Sequence, residues 1–153
     1  MNKTCKKPKV LHIANWYPNP WDNIEGNFVR DQIRVFKKVI DSKTVVVQVR
    51  ESNDFIPKYQ SLPLDDGARG YFIFSRARVG KITELISSLL LFFVLIKERA
   101  WKYNVLHFHI AYPLLIHCKF WRRLFKTNIV VSEHWSAYHY NFYLPHSASS
   151  LGA

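Results

Sequence analysis

A chain of 153 residues is one domain of ordinary size, long enough to bury a core. At 48% apolar and 16% aromatic it is too hydrophobic for disorder. Its 22 Lys and Arg against 11 Asp and Glu give a net charge of +11, which fits an anionic partner (a phosphate-bearing ligand, an acidic membrane surface or nucleic acid) and equally a solvated basic surface.

Residues 1–8 read as a basic tail ahead of a domain over 9–145. Residues 10–14 (VLHIA) form a first strand, too short for the apolar core of a secretory signal. The loop 15–26 holds two prolines, two tryptophans and one glycine, which no helix would tolerate. Asn27 is the expected N-cap of a helix carrying Val29, Ile33, Phe36 and Ile40 on one face. Residues 44–49 (TVVVQV) form a second strand, 50–70 a loop, and 71–74 (YFIF) a third strand. A long helix is expected over 82–102. Its apolar stretch, 89–96, falls far short of the roughly twenty residues that a membrane span needs, and reads as a buried or surface-docking helix. Residues 105–108 form a fourth strand, Pro113 sits in the first turn of a helix ending near Phe125, and 128–132 (NIVVS) form a fifth strand. Residues 137–153 are Ser-rich and poorly patterned, and 146–153 read as a truncated or disordered end.

The first, second, fourth and fifth strands are continuously apolar, as strands buried on both faces are. The expected fold class is therefore α/β: a doubly wound, mostly parallel, Rossmann-like sheet with helices on both faces. Cys5 and Cys118 are the only cysteines and lack any Cys/His ligand spacing. Neither a zinc site nor a disulfide framework is indicated, and a reducing cytosol is the simplest compartment.

Chemistry-bearing residues gather where such strands end. Gly26 and Asn27 lie between the first strand and its helix, where backbone N–H groups attract anions, or where Gly26 only turns the chain. His107 and His109 are read as facing opposite sides of the fourth strand, His107 more as a core histidine than a site residue, and His109, at the strand's end, equally as a site or a structural residue. Glu133 and His134 follow the fifth strand, where a histidine can orient a hydroxyl or accept a proton. Trp16, Tyr17, Trp21, Trp135, Tyr138, Tyr140 and Tyr143 offer rings on which sugars stack, or that cover the end of the core. Lys119 to Arg123 with Lys126 make a basic-aromatic helix end suited to lipid headgroups or nucleic acid, or simply a solvated face.

Trp16-Tyr17-Pro18, Gly26, Phe28-Val29 and Gln32, then His107, His109 and Ala111-Tyr112-Pro113, then Glu133-His134-Trp135-Ser136, follow one another in a pattern that resembles the N-terminal domain of family 4 retaining glycosyltransferases of GT-B architecture. The resemblance spans about residues 8–140. It implies two Rossmann-like domains around a cleft, with a C-terminal donor domain absent from this chain. The acceptor, a glycan or lipid-linked molecule, would lie on this domain near Trp16, Tyr17, Tyr112 and Trp135. Gly26, with Asn27, would sit by the diphosphate of a nucleotide-sugar donor. His134 would bond a hydroxyl of the transferred sugar, and His109 and Glu133 would shape the cleft. Such enzymes use no metal and no cofactor beyond the donor substrate. The chain departs from the pattern at Glu25, where many members carry a second glycine, and at Asn104, where Asp is usual. Alone it would be inactive, cytoplasmic and in peripheral contact with an anionic inner membrane face, with no nucleic acid expected.

The rival reading is a stand-alone basic α/β module that binds RNA or an acidic surface. A small hydrolase would need a GxSxG elbow or paired carboxylates, and neither occurs.

Overall fold

Only a strand with neighbours on both edges and cover on both faces can bury every side chain, so the most apolar runs belong at the centre of a sheet. The computed structural model describes residues 7–76, 81–110, 113–114 and 118–133 and bears this out. Strands β1 (Lys9–Ala14), β2 (Asp41–Glu51), β3 (Lys58–Pro63), β4 (Arg69–Ser75), β5 (Val105–His109) and β6 (Asn128–Ser132) form one sheet in the order β3-β4-β2-β1-β5-β6. Every neighbouring pair is parallel except β3 with β4. Helices α1 (Asn27–Lys37), α2 (Lys81–Lys97) and α3 (Cys118–Phe125) accompany it. The protein is thus an α/β domain built on a six-stranded, mostly parallel sheet.

Alternate residues of a strand point to opposite faces, and β1 divides its side chains accordingly. Leu11 and Ile13 join a cluster with Leu91, Val94 and Leu95 of α2 and Trp121 and Phe125 of α3. Ala14 joins a second cluster with Val29 and Ile33 of α1, Val46 of β2 and Phe72 of β4. Beneath the first cluster, Glu98 accepts hydrogen bonds from the Tyr71 hydroxyl and from Lys43 Nζ (2.5 Å). Burial, then Glu98 itself, pushes the Tyr71 phenol well above its ordinary value.

Several expectations are corrected. The segment 50–70 is not all loop: it contains β3 and a short 3-10 turn at Asp65–Gly67. β3 is an edge strand, exposed or half-buried throughout, so it lacks the apolar run that marks an inner strand. The N-cap of α1 is Gly26, in the left-handed conformation (φ 63°), and Asn27 is the first helical residue. α1 ends at Lys37, short of Ile40. The second long helix ends at Lys97 and is followed by a separate 3-10 turn, Ala100–Lys102, because Arg99 takes a positive φ of 53°. Pro113 and Leu114 lie in a turn, and the described part of the helix after them is Cys118–Phe125. β6 is expected to be buried on both faces, but among the described residues it is the other edge of the sheet, and Val130 and Val131 are 46% and 44% exposed.

α2 is apolar all round, yet only one side meets the sheet: Leu91 is fully buried, whereas Leu89 is 59% exposed. Leu91→Ala should therefore lower stability by about 2–5 kcal/mol, and Leu89→Ala should change it by no more than about 0.5 kcal/mol. Urea titrations of the two variants check this. Equal losses would mean that α2 is rotated about its axis.

Candidate functional site

The order of the sheet reverses at β1, whose neighbours β2 and β5 come from the two halves of the chain. Parallel sheets leave a crevice at such a reversal, outside the carboxyl ends of the strands, because the connections on either side run away from each other. Here the reversal brings together the loop 15–26, the start of α1, and the end of β5 at His109 and Ile110.

The loop is held from within by two side chains. Asn19 Oδ1 accepts the backbone N–H groups of Trp21 and Asp22 (both 3.1 Å), and its Nδ2 donates to Tyr17 O (3.0 Å) and Glu25 Oε2 (2.8 Å). Asp22 Oδ1 accepts from the N–H groups of Ile24 and Glu25 (both 3.0 Å). Glu25 then ties the loop to β2, accepting from Gln48 Nε2 (2.7 Å) and Arg50 Nη1 (3.0 Å). The Arg50 guanidinium lies over Trp21, whose ring meets Phe72 and Phe74 edge-on.

Gly26 has a steric reason to be glycine. A Cβ there would lie 2.4 Å from the carbonyl carbon of Trp16 and 2.6 Å from the amide nitrogen of Tyr17, and the left-handed backbone disfavours any side chain. The residue lets the start of α1 lie directly against the exit from β1. Part of the expected anion cradle is already used, since the Asn27 N–H donates to Ile24 O at 3.2 Å.

Behind the crevice lies a cluster of histidines. His12 of β1 stands opposite His107 of β5, and Ala14 opposite His109. His107 and His109 do not face opposite sides: residues two apart in a strand share a face, and their rings are 4.2 Å apart. His12 Nδ1 lies 3.1 Å from His109 Nε2, His107 Nε2 bonds Ser132 Oγ at 2.8 Å, and Phe36 of α1 packs on both His12 and His107. All three histidines are buried. Burial first, then His107 and Lys37, hold the His12 imidazole down at about 3, against an ordinary value of 6.5. His12 is thus neutral at physiological pH and fixes the ring of its bonded neighbour. The ring nitrogens of the three lie within 4.8 Å of one another, near enough to share a transition-metal ion. The burial and positive surroundings that keep His12 neutral also oppose a dication there.

β5 is followed by Ile110, a β-branched residue with φ 74°. That conformation costs about 1–3 kcal/mol and is held by the Ile110 N–H to Ser132 O bond (2.9 Å) and by burial in the α1-side cluster. Strain of this kind concentrates where a chain must present particular groups.

The structure therefore gathers Trp16, Gly26, Asn27 and His109 around one reversal point. Trp16 is partly exposed, whereas Tyr17 is fully buried, and its phenol is pushed up to about 12, chiefly by burial. Glu133 is exposed just beyond the carboxyl end of β6, two strands from β1. His134, Trp135 and Tyr112 lie outside the described residues, as do the tyrosines at 138, 140 and 143. His12, the Glu25 network and the strained Ile110 escape the sequence reading. His12 had a signal: once β1 and β5 are neighbours, a histidine at alternate spacing from Ala14 must face the pair on β5.

Two predictions follow from this geometry. Below its ordinary value of 6.5, His12 takes up a proton in the unfolded chain but not in the folded one until about pH 3. Its contribution to stability is therefore complete above pH 6.5 and falls as pH drops, by about 1.4 kcal/mol per unit. Between pH 6 and 5 (roughly, to stay above most carboxylate titration), His12→Asn should flatten the dependence of the urea midpoint on pH. An unchanged slope would assign the acid sensitivity to other groups. Separately, Gly26→Ala should destabilise by at least about 1–2 kcal/mol from backbone conformation alone, with more from the clash, read by thermal and urea unfolding. A midpoint like that of the unaltered protein would show that the loop and α1 part without cost.

No family model matches the chain, and no curated protein and no solved structure is significantly similar to it.

Proposed function

We propose that the chain is the acceptor-binding half of a retaining glycosyltransferase that moves a sugar from a nucleotide-sugar donor to a glycan or lipid-linked acceptor. The observation that carries this reading is the convergence of the loop 15–26 with His109 at the reversal point of a parallel sheet, in a chain whose ordered motifs resemble the N-terminal half of a GT-B enzyme. Without its antiparallel edge, the sheet runs β4-β2-β1-β5-β6, the order expected of a doubly wound Rossmann-like domain. Trp16 and Trp21, both partly exposed on the loop, offer rings for sugar stacking. In this reading Trp16 and, by resemblance, Tyr112 and Trp135 line the acceptor side. Gly26 and Asn27 approach the donor diphosphate through the backbone, and His109 and Glu133 shape the cleft. His134, directly after Glu133, bonds a hydroxyl of the transferred sugar and acts as a polar catalytic group.

A donor-side domain is required, because the charge that develops on the departing diphosphate must be met by groups fixed in advance. The chain alone should bind nucleotide-diphosphate sugars no more tightly than about 100 μM, near −5.5 kcal/mol, by calorimetry, and should transfer no sugar. Joined to a donor-side domain it should turn over, and His134→Ala should lower turnover about 10²-fold or more with little change in melting temperature. Turnover or micromolar donor binding by the chain alone would overturn the half-enzyme reading. Tight RNA binding without any donor binding would favour the basic-module alternative.

A further inference from the structure

A helix that is apolar all round belongs in a core, where both its sides are covered. α2 has such a sequence, ITELISSLLLFFVLI between its terminal lysines, but the described residues cover only one side. Ser87, Ser88, Leu90, Leu91, Val94 and Leu95 face the sheet. Leu85, Leu89 and Ile96 recur at helical spacing on the opposite side and stand exposed, and Phe93, 48% exposed, flanks them with its ring edge-on to Tyr59 of β3 (centroids 5.9 Å). The stripe does not stop with the helix. A groove lined by Phe92, Ile96, Trp101, Leu124 and Phe125 carries it across to α3, and Phe92 stacks on Trp121 (ring centroids 5.9 Å) to fix the two helices together. Trp101 is 54% exposed at the rim of that groove.

The polar residues beside this surface have one predominant sign. Lys97 lies along it, with Nζ 5.6 Å from the Phe93 ring centroid. Lys102 follows Trp101, and on α3 the exposed Lys119, Arg122 and Arg123 alternate with exposed Phe120 and Leu124. Of the two carboxylates on or next to α2, Glu84 is half-buried in the first turn, and Glu98 is occupied by Lys43 and Tyr71. A second copy of the same surface would bring like charges together, which opposes a symmetric dimer. No carboxylate occurs in residues 134–153 either, so that segment offers nothing to neutralise the rim.

We propose that the outer face of α2, continued by Trp101 and α3, is a peripheral docking surface for an anionic lipid bilayer. The apolar stripe enters the boundary between headgroups and acyl chains, and the basic rim meets lipid phosphate. No helix among the described residues is long and apolar enough to cross a membrane, so contact is along the helix and not through the bilayer. Electrostatic attraction and apolar burial each contribute part of the affinity, and each can be removed separately. The proposal does not depend on glycosyl transfer.

The test is co-sedimentation of the full chain with vesicles of pure phosphatidylcholine and of equimolar phosphatidylcholine and phosphatidylglycerol, at low and high salt. The chain should bind the anionic vesicles, lose affinity steeply with salt, and bind neutral vesicles poorly. Arg122→Glu with Arg123→Glu should weaken anionic binding about tenfold or more. Leu89→Asp with Phe93→Asp should abolish it while circular dichroism and the melting midpoint stay unchanged. Should those variants misfold, quenching of Trp101 fluorescence by brominated lipid, taken as the difference from Trp101→Phe, decides instead. Absence of anionic binding at low salt, equal binding to both vesicles, or an unquenched Trp101 would overturn the proposal. So would a self-associated species by analytical ultracentrifugation that the Leu89 and Phe93 changes dissolve, because a second copy would then cover the face.

Discussion

β1 is hydrogen-bonded to β2 on one edge and to β5 on the other, and its side chains from Leu11 to Ala14 are buried. Water therefore reaches neither face of the strand, and each polar group on it must find a partner in the protein or remain uncharged. Leu11 and Ile13 meet this constraint by being apolar. His12 meets it by giving up its charge and bonding His109, and its other nitrogen, Nε2, has no hydrogen-bond partner among the described residues. The same constraint decides what the crevice outside β1 and β5 can present. The histidine at the end of β5 is backed by a neutral imidazole, so β1 supplies the site with a fixed hydrogen-bonding direction and no positive charge.

The connection out of β1 is a second consequence. It must leave a buried strand, turn, and return α1 to the sheet within a dozen or so residues, without regular structure to pair its backbone. Asn19 and Asp22 pair that backbone with their own oxygens, which is what short polar side chains do in turns. Glu25 then carries the single charge that anchors the loop to Gln48 and Arg50. A second glycine at position 25 would leave the backbone more open to a ligand and would lose that anchor. A glutamate in place of a glycine at position 25 thus exchanges some openness beside α1 for rigidity of the loop. Gly26 completes the turn because its backbone touches the exit from β1, a contact that leaves no room for a side chain.

How much of this could be read from the sequence varied with how local the cause was. The inner strands announced themselves, because burial on both faces imposes apolar composition on the residues themselves. β3 did not, since an edge strand with one half-solvated face needs no apolar run, and its pairing with β4 depends on residues a dozen positions away. The caps of α1 were misassigned for a related reason. Asn27 has the chemistry of a cap, but the close approach of Trp16 to Gly26 placed the left-handed residue one position earlier, and no local pattern encodes that contact. The histidine cluster is the most instructive case. Its members are far apart in sequence, and it exists only because β1 and β5 are neighbours. Even so, two residues of it could have been joined by applying the period of two along a single strand. Glu133 and the motif around it were legible as a pattern alone, because their chemistry depends on residues beyond the described end of β6.

α2 shows the converse: here the sequence was legible but ambiguous, and the fold resolved it. A helix with Leu, Ile, Val and Phe on all sides has two self-consistent fates, enclosure in a core or exposure of one side to something apolar outside. Among the described residues the sheet covers one side of α2, and α3 meets α2 along the flank where Phe92 stacks on Trp121. Leu89 and Phe93 are therefore exposed by geometry, whatever their own preference for burial. Each of these half-exposed side chains forfeits part of the about 1.5–3 kcal/mol that full burial would give, a standing cost that several residues of the stripe incur together. Sequences retain such costs where an occupant recovers them, and the sign of the surrounding charge narrows which occupant that is. The basic residues of α3 lie on the same rim as Phe120 and Leu124, so the surface that would recover burial is also the one that gathers the excess positive charge of the chain.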